Sequence, residues 1–177
     1  TRWDWLVQYP INNYSVSLNI GKYVRFTDAD LAGGDQPSRQ APSPAGTKMD
    51  FWVLPENLEK AKVQFAQAKT MMECFEKYFG EYPFRKDGYK LIEVPYSGME
   101  HQSAVTYGNL FTNGYLGRDW TGVGVSTKFD FIIIHESAHE WFGNSVTSID
   151  VADEWIHEAW GTYLEAVYVE HMFGRDE

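Results

Sequence analysis

Hydrophobic and polar positions follow two different periods along the chain, one typical of strands and one typical of helices. Apolar and polar residues alternate through 14–20 and again through 23–27, with Gly21 and Lys22 between them, and this pattern predicts a β-hairpin. Period-two alternation places successive side chains on opposite faces of a strand. Shorter apolar-rich runs predict three further strands, at 48–54, 90–94 and 104–111.

Apolar residues also recur at helical spacing in three segments. Residues 56–79 carry such a stripe and a glycine follows, which predicts one long helix. A second helix is predicted to start at a capping box in 127–130 and to end at Gly-Asn in 143–144. A third helical pattern covers 153–173 and again ends before a glycine. With the strands, these helices indicate an α+β fold containing a small mixed or antiparallel sheet.

Three segments are predicted to connect these elements. Residues 32–46 are rich in Gly, Pro and Ser and predict a surface loop. Residues 96–101 predict a tight connection between two strands. The glycine-rich stretch 120–125 lacks the Gly-Lys-Ser/Thr ending of a phosphate-binding loop, so no phosphate site is predicted there.

Composition narrows the class of protein. The 177 residues are 44% hydrophobic and 16% aromatic, which is enough for one well-filled core. A net charge of −10 argues against nucleic acid or an anionic membrane as a partner, since both require a basic face. No apolar run approaches the length of a membrane span. The single cysteine, Cys74, excludes an intrachain disulfide and is expected to be a buried helix residue.

The second predicted helix carries the sequence His135-Glu-Ser-Ala-His139. Side chains at i and i+4 share a helix face, so His135 and His139 can bind one ion. Glu136 projects about 100° away from His135, where it can act as a general base on a metal-bound water without being a ligand. The motif therefore predicts a zinc hydrolase site.

A catalytic zinc site needs a third protein ligand. The following helix supplies candidates, and if it packed antiparallel to the first, a carboxylate early in it would reach the two imidazoles. Spacing alone favours Glu158 without deciding among its neighbours. The candidates are Asp153, Glu154, His157, Glu158 and Glu165.

The run 135–144, with eighteen residues between His139 and Glu158, resembles the gluzincin aminopeptidases, the alanyl aminopeptidase and leukotriene hydrolase family. That family carries a Trp-Leu-Asn-Glu-Gly-Phe-Ala-Thr-Tyr-Leu-Glu run on its second helix, and residues 155–165 are similar to it. The resemblance implies a thermolysin-like zinc metallopeptidase catalytic domain. It also implies that Glu158 is the third ligand of one Zn²⁺ ion.

Residues 97–101 are similar to the Gly-x-Met-Glu-Asn segment of that family, whose glutamate binds the free amino group of a peptide. The resemblance implies this role for Glu100, whose fixed distance from the metal would select the first peptide bond. Two residues depart from the pattern, Ser97 at the first glycine and His101 at the asparagine. Without the family, Glu100 would be an ordinary loop carboxylate.

The resemblance spans most of the chain, as the amino-terminal two-thirds of the catalytic domain. Residues 1–177 are thus expected to be a fragment: a partial metallopeptidase domain in which 1–13 connect to a preceding β domain. The transition-state tyrosine of the family is expected beyond Glu177. Tyr163 and Tyr168 are interpreted as packing residues of the last helix.

Four further titratable residues lie close in sequence to the candidate ligands or on the last predicted helix. Glu165 lies seven residues after Glu158 on the same helix face, so it could accept the outer N–H of a ligand histidine. A solvated helix carboxylate is the alternative for Glu165. Glu140, His157 and His171 are assigned to structure or surface.

These predictions define a function with stated alternatives. The expected activity is zinc-dependent removal of amino-terminal residues from peptides, with Glu136 as general base. The partners are a peptide with a free amino terminus and the missing domains of the parent chain. A zinc endopeptidase or other zinc hydrolase with the same ligands, and a non-catalytic zinc-containing binding module, remain as alternatives. The sequence does not fix the compartment, and we favour an extracytoplasmic one, periplasmic or secreted.

Overall fold

The computed structural model describes residues 4–31 and 46–177, and a mixed five-stranded sheet lies at its centre. The strand order across the sheet is β1-β2-β3-β5-β4. The central strands β2, β3 and β5 run parallel to one another, and the edge strands β1 and β4 are antiparallel to their neighbours. The strands are β1 Val24–Thr27, β2 Met49–Val53, β3 Tyr89–Glu93, β4 Gly98–Met99 and β5 Val105–Tyr107.

Four α-helices accompany the sheet in the described residues. Helix α3 contacts β4 and β5 on one side and α2 and α4 on the other, so it lies between the sheet and the other helices. Their bounds are α1 Leu58–Gln64, α2 Gln67–Phe79, α3 Phe131–Ala138 and α4 Trp155–Phe173. Short 3₁₀ turns occur at Asn13–Ser15, Asp28–Asp30, Pro55–Asn57, Ser126–Lys128 and Val151–Asp153.

Aromatic residues fill the core between the sheet and the first helices. Phe65 is fully buried and contacts Phe26, Phe51, Tyr107 and Phe111, with ring centroids 4.9–6.2 Å apart. Fully burying one such side chain contributes roughly 1.5–3 kcal/mol. The strands are therefore held by the Phe65 side chain, directly after α1, as well as by their hydrogen bonds.

The predicted hairpin at 14–27 is wrong. Only its second half is a strand, and β1 pairs with β2 instead of with 14–20. Among the described residues no strand lies beside 14–20, and Val16, Leu18 and Ile20 are 65%, 81% and 84% exposed. Alternation identifies a segment that suits a sheet edge, but the partner strand is chosen by tertiary contacts.

The predicted helix over 56–79 is divided into α1 and α2. Phe65 and Ala66 form a tighter turn between them, with the N–H of Ala68 bonded to the carbonyl of Phe65. The buried ring of Phe65 packs into the aromatic core at this point. Gly80 ends α2 with a φ of 90°, as the sequence predicted. Cys74 is buried in α2, also as predicted, and burial raises its pKa to about 12.

The connection predicted at 96–101 contains the edge strand β4. The strand predicted over 104–111 ends earlier, at Tyr107. Leu110 and Phe111 have φ values of 58° and 55°, which lie outside the extended conformation of a strand. The other two predicted strands are confirmed, as β2 and β3.

Both ends of the motif helix differ from the prediction. The cap is Asp130, whose carboxylate accepts the N–H of Ile133, whereas the Thr127 hydroxyl bonds to the Gly124 carbonyl. Helix α3 ends at Ala138 and tight turns follow, so His139 is its C-cap residue. The helix predicted at 153–173 is confirmed as α4 and ends before a glycine.

Two sequence predictions concern connecting segments and membranes. The loop predicted at 32–46 lies outside the described residues except for Gly46, and 120–125 form a loop as predicted. Within 4–31 and 46–177, none of the helices combines the length and the apolar character that crossing a bilayer requires.

Candidate metal centre

Helix α3 is fixed by a buried carboxylate at its start. Asp130 is fully buried and accepts hydrogen bonds from Tyr107, Gln64 and Asn109 at 2.6–2.9 Å, besides capping the helix. The apolar residues of the following turn are buried against the sheet and α2. These contacts set where the polar face of α3 points.

That polar face brings the two imidazoles together. The Nε2 atoms of His135 and His139 lie 3.4 Å apart. His135 Nδ1 is 2.6 Å from Glu165 Oε1, and His139 Nδ1 is 3.1 Å from the Phe142 carbonyl oxygen. The Glu165 carboxylate and the Phe142 carbonyl are both hydrogen-bond acceptors. Each histidine therefore carries its proton on Nδ1 when the ring is neutral. Both Nε2 lone pairs therefore face the same point.

Helix α4 adds a carboxylate at that point. The Glu158 oxygens lie 3.2 Å from His135 Nε2 and 3.7 Å from His139 Nε2. His135, His139 and Glu158 are the one group of three metal-ligating side chains that the described residues bring within 4.8 Å. Of the other candidates for third ligand, Glu165 contacts the outer nitrogen of His135, and His157 accepts the N–H of Ser148.

The protonation preferences of the three groups differ. Burial lowers the pKa of His135, but its hydrogen bonds to Glu158 and Glu165 outweigh burial and raise that pKa to about 10. Burial and the neighbouring His135 lower the pKa of His139. The hydrogen bond to His135 lowers the pKa of Glu158. The cluster thus favours one positive charge among its ring nitrogens.

These residues fit a bound cation. Two imidazole nitrogens that converge on a carboxylate form the ligand set of catalytic zinc sites, which keep a further position open. A cation at the convergence point would take the place of the proton that His135 otherwise holds. Glu158 is 63% exposed, so the site is reachable from solvent on that side.

Glu136 lies beside the cluster and is buried. Burial raises its pKa to about 8, against the opposite effect of His135. A Cβ at Gly98 would lie 3.0 Å from the Glu136 side chain and 2.6 Å from Ile132, so the close approach of β4 to α3 requires glycine there. The absence of a side chain at Gly98 leaves room for this carboxylate.

Glu100 follows the edge strand β4 and lines a cavity of about 250 Å³ together with Glu158. Its negative charge adds to the rise in the pKa of Glu136 and partly opposes the lowering of the pKa of His139. The residues lining this cavity are Tyr14, Met99, Glu100, Glu154, Trp155, His157 and Glu158.

Several residues at the site were not singled out by the sequence. The Phe142 carbonyl holds His139, and a Cβ at Gly161 would lie 3.0 Å from the His139 ring. Glu140, assigned to structure or surface, is fully buried and bonds to Ser103 and Asn144. Gly161 comes three residues after Glu158 on α4, and this helical spacing is a signal that the sequence already contained.

The fold and the site together define a class of protein in which a His-Glu-x-x-His segment and a glutamate from the next helix converge as a candidate metal centre. Residues 63–177 match the Peptidase family M1 domain. The chain belongs to peptidase family M1, as its motifs had indicated.

Curated relatives agree with this assignment. The chain is 31% identical over 163 residues to endoplasmic reticulum aminopeptidase 1 of Homo sapiens, a match that covers 89% of the chain and 16% of the relative. It is 28% identical over 124 residues to leucyl aminopeptidase of Saccharolobus solfataricus, covering 68% of the chain and 15% of the relative. The chain thus spans about one-sixth of the length of these relatives.

Solved structures show the same fold. An M1 zinc metallopeptidase mutant from Deinococcus radiodurans, bound to a Tyr-Ser-Ala substrate, superposes with a TM-score of 0.65 at 22% identity. That match covers 94% of this chain and 33% of the other. Yeast LTA4 hydrolase in complex with bestatin superposes with a TM-score of 0.56 at 25% identity, covering 76% and 20% of the two chains.

Proposed function

We propose that this protein removes amino-terminal residues from peptides by zinc-dependent hydrolysis. The observation that carries the proposal is the His135, His139 and Glu158 cluster, with Glu100 lining the cavity that Glu158 also lines. Membership of family M1 and relatives named as aminopeptidases support the same activity.

His135, His139 and Glu158 would hold one Zn²⁺ ion. When bound, zinc lowers the pKa of a coordinated water and polarises a carbonyl oxygen. The protein holds both imidazole rings by hydrogen bonds at Nδ1, the nitrogen that faces away from the proposed metal position. Glu165 and the Phe142 carbonyl accept the Nδ1 protons, which fixes the tautomer with Nε2 as ligand.

Glu136 is proposed as the general base and acid. It would accept a proton from the attacking water and return it to the nitrogen of the leaving amine. Its burial raises the affinity of the carboxylate for a proton, which suits a group that holds one between the two steps. No covalent intermediate with the protein is required.

Glu100 is proposed to bind the free ammonium group of the substrate. An ammonium beside a metal cation is repelled unless a carboxylate offsets the charge. Glu100 and Glu158 line one cavity, which supports the binding of a free amino terminus beside the proposed metal ligand.

The same proposal extends to the whole domain. Residues 1–177 would be part of a thermolysin-like catalytic domain, with 1–13 leading from a β domain, in an extracytoplasmic protein. The match to only 16% of the length of endoplasmic reticulum aminopeptidase 1 supports the proposal that these residues are part of a larger protein. The mass of the native protein and its location after cell fractionation test both points.

The activity is tested by comparing two peptides that differ only in amino-terminal acetylation. In the full-length protein, the free peptide should lose its first residue and the acetylated one should resist cleavage. Equal cleavage of both would favour a zinc endopeptidase with the same ligands. Absence of any hydrolysis by the zinc-loaded protein would favour a non-catalytic binding module.

A further inference from the structure

The segment that carries Glu100 is attached to the carboxyl end of the zinc-ligand helix by two side chains. Asn144 Nδ2 donates to the carbonyl oxygen of Glu100 at 2.7 Å. The Glu140 carboxylate accepts the backbone N–H of Ser103 at 3.0 Å. One hydrogen bond thus holds the start of the segment 100–103 and another holds its end.

These two side chains also hold each other. Asn144 Nδ2 donates to Glu140 Oε1 at 2.9 Å, and Tyr82 donates its phenolic proton to the same carboxylate. Ser15 donates to Asn144 Oδ1 at 3.2 Å, which sets the orientation of the amide. Glu140 and Tyr82 are buried, so this hydrogen-bonded group is shielded from solvent.

The other side of Glu100 is held by the sheet. Met99, directly before it, pairs with Thr106 in β5, and the Thr106 hydroxyl donates to the Met99 carbonyl. Glu100 therefore lies between an anchor to the sheet and an anchor to α3. Both anchors restrain the backbone that carries its carboxylate.

We propose that Asn144 is a positioning residue that sets the distance between Glu100 and the metal ligands, and thereby the preference for free amino termini. The amide has this effect because it joins the Glu100 backbone to the turn that follows His139. This inference rests on the proposed aminopeptidase function. It assigns Asn144 no contact with the substrate.

The test measures the ratio of kcat/KM for free and acetylated peptides in the full-length protein. Asn144→Ala should lower this ratio at least about tenfold, mainly through a higher KM for the free peptide, since misplacement by about 1 Å can cost 10²-fold. Asn144→Asp keeps the shape but removes the donor, and it should act in the same direction. Zinc content should stay at the wild-type stoichiometry in both variants.

The matched control is Asn57→Ala. Asn57 also donates a 2.7 Å side-chain hydrogen bond, to Glu93, but it lies outside the cavity of Glu100. This variant should keep the wild-type ratio. An unchanged ratio in folded Asn144 variants, or a loss that follows zinc content, would overturn the inference.

A double-mutant cycle separates positioning from general damage to the fold. In a Glu100→Gln background, Asn144→Ala should cause no further loss of the ratio, because the carboxylate that it positions is already gone. Additive losses would show that Asn144 acts elsewhere and would overturn the inference. If the wild type itself shows no preference, the proposed function fails and the inference falls with it. If the wild type shows the preference and the Asn144 variants retain it, the inference alone fails.

Discussion

At the scale of single residues, the site is defined by contacts to both nitrogens of each histidine. The His135 ring stacks on Phe131 with centroids 5.7 Å apart, and its Nδ1 atom is hydrogen-bonded to Glu165. His139 is fully buried and bonded to a backbone carbonyl. Neither ring can turn without losing a hydrogen bond in a buried setting, which costs about 1–3 kcal/mol.

Glu136→Gln separates catalysis from metal binding. The amide keeps the shape of the side chain but cannot take a proton from water, so hydrolysis of a free amino-terminal peptide should fall by at least about 10²-fold. Zinc content should match the wild type, because Glu136 is not in the ligand cluster. Steady-state kinetics and metal analysis check the two outcomes. Retained turnover would remove Glu136 from the role of general base.

Glu165→Ala tests the partner of His135. Without the carboxylate at Nδ1, the ring loses its fixed tautomer, and zinc affinity should fall about 10–100-fold. Competition with a chelator of known affinity measures this change. Glu170→Ala, at an exposed position on the same helix, is the control and should bind zinc as the wild type does. Equal zinc affinity in the two variants would show that Glu165 does not contribute to zinc binding.

At the scale of elements, α3 depends on a cap that is also part of the core. Asp130 joins the start of the helix to β5 through Tyr107 and to α1 through Gln64. Helix α4 reaches α3 closely because position 161 is glycine, which faces both imidazoles. The two helices and the cap together set the distance between the histidines and Glu158.

Asp130→Ala should destabilise the fold by about 2–4 kcal/mol, because it removes a helix cap and leaves buried donors without an acceptor. Urea unfolding followed by circular dichroism measures the free energy of unfolding. Asp150→Ala is the matched control, since Asp150 caps a 3₁₀ turn by accepting the N–H of Ala152 at an exposed position. That variant should lose no more than about 1 kcal/mol. Similar losses of unfolding free energy in the two variants would show that the buried hydrogen bonds to Asp130 add no stability beyond that of an exposed cap.

At the scale of the whole molecule, the candidate metal centre joins parts that are distant in sequence. Glu100 follows the sheet edge, His135 lies in α3 with His139 as its C-cap residue, and Glu158 belongs to α4. A cation bound by these residues connects α3 to α4. It should therefore contribute to the stability of the entire domain.

Removing zinc should lower the thermal unfolding midpoint, and adding zinc back should restore it. A ligand that binds only the native state stabilises it by about 4 kcal/mol at 1,000 times its Kd. Differential scanning calorimetry with and without a chelator measures the shift. In His135→Ala the shift should be much smaller, because one ligand is missing. An equal shift in that variant would place the stabilising metal elsewhere.

The helical segments and the two histidines proposed as ligands could be predicted from sequence. Local spacing places His135, Glu136 and His139 on adjoining faces of one turn, and glycines mark the ends of α2 and α4. The break at Phe65 could not be predicted, because it coincides with packing against the sheet. Nor could the cap at Asp130, whose partners Gln64, Tyr107 and Asn109 come from two other segments.

The sequence by itself determined the class of chemistry, since two imidazoles at i and i+4 with a carboxylate between them depend only on helix geometry. It left five candidates for the third ligand until a family resemblance favoured Glu158. Only the tertiary structure decided which carboxylate faces the two Nε2 atoms, which one contacts Nδ1 of His135, and that Asn144 joins Glu100 to the turn that follows His139. The physical reason is that these contacts link segments far apart in the chain, whose relative placement depends on packing and not on local periodicity.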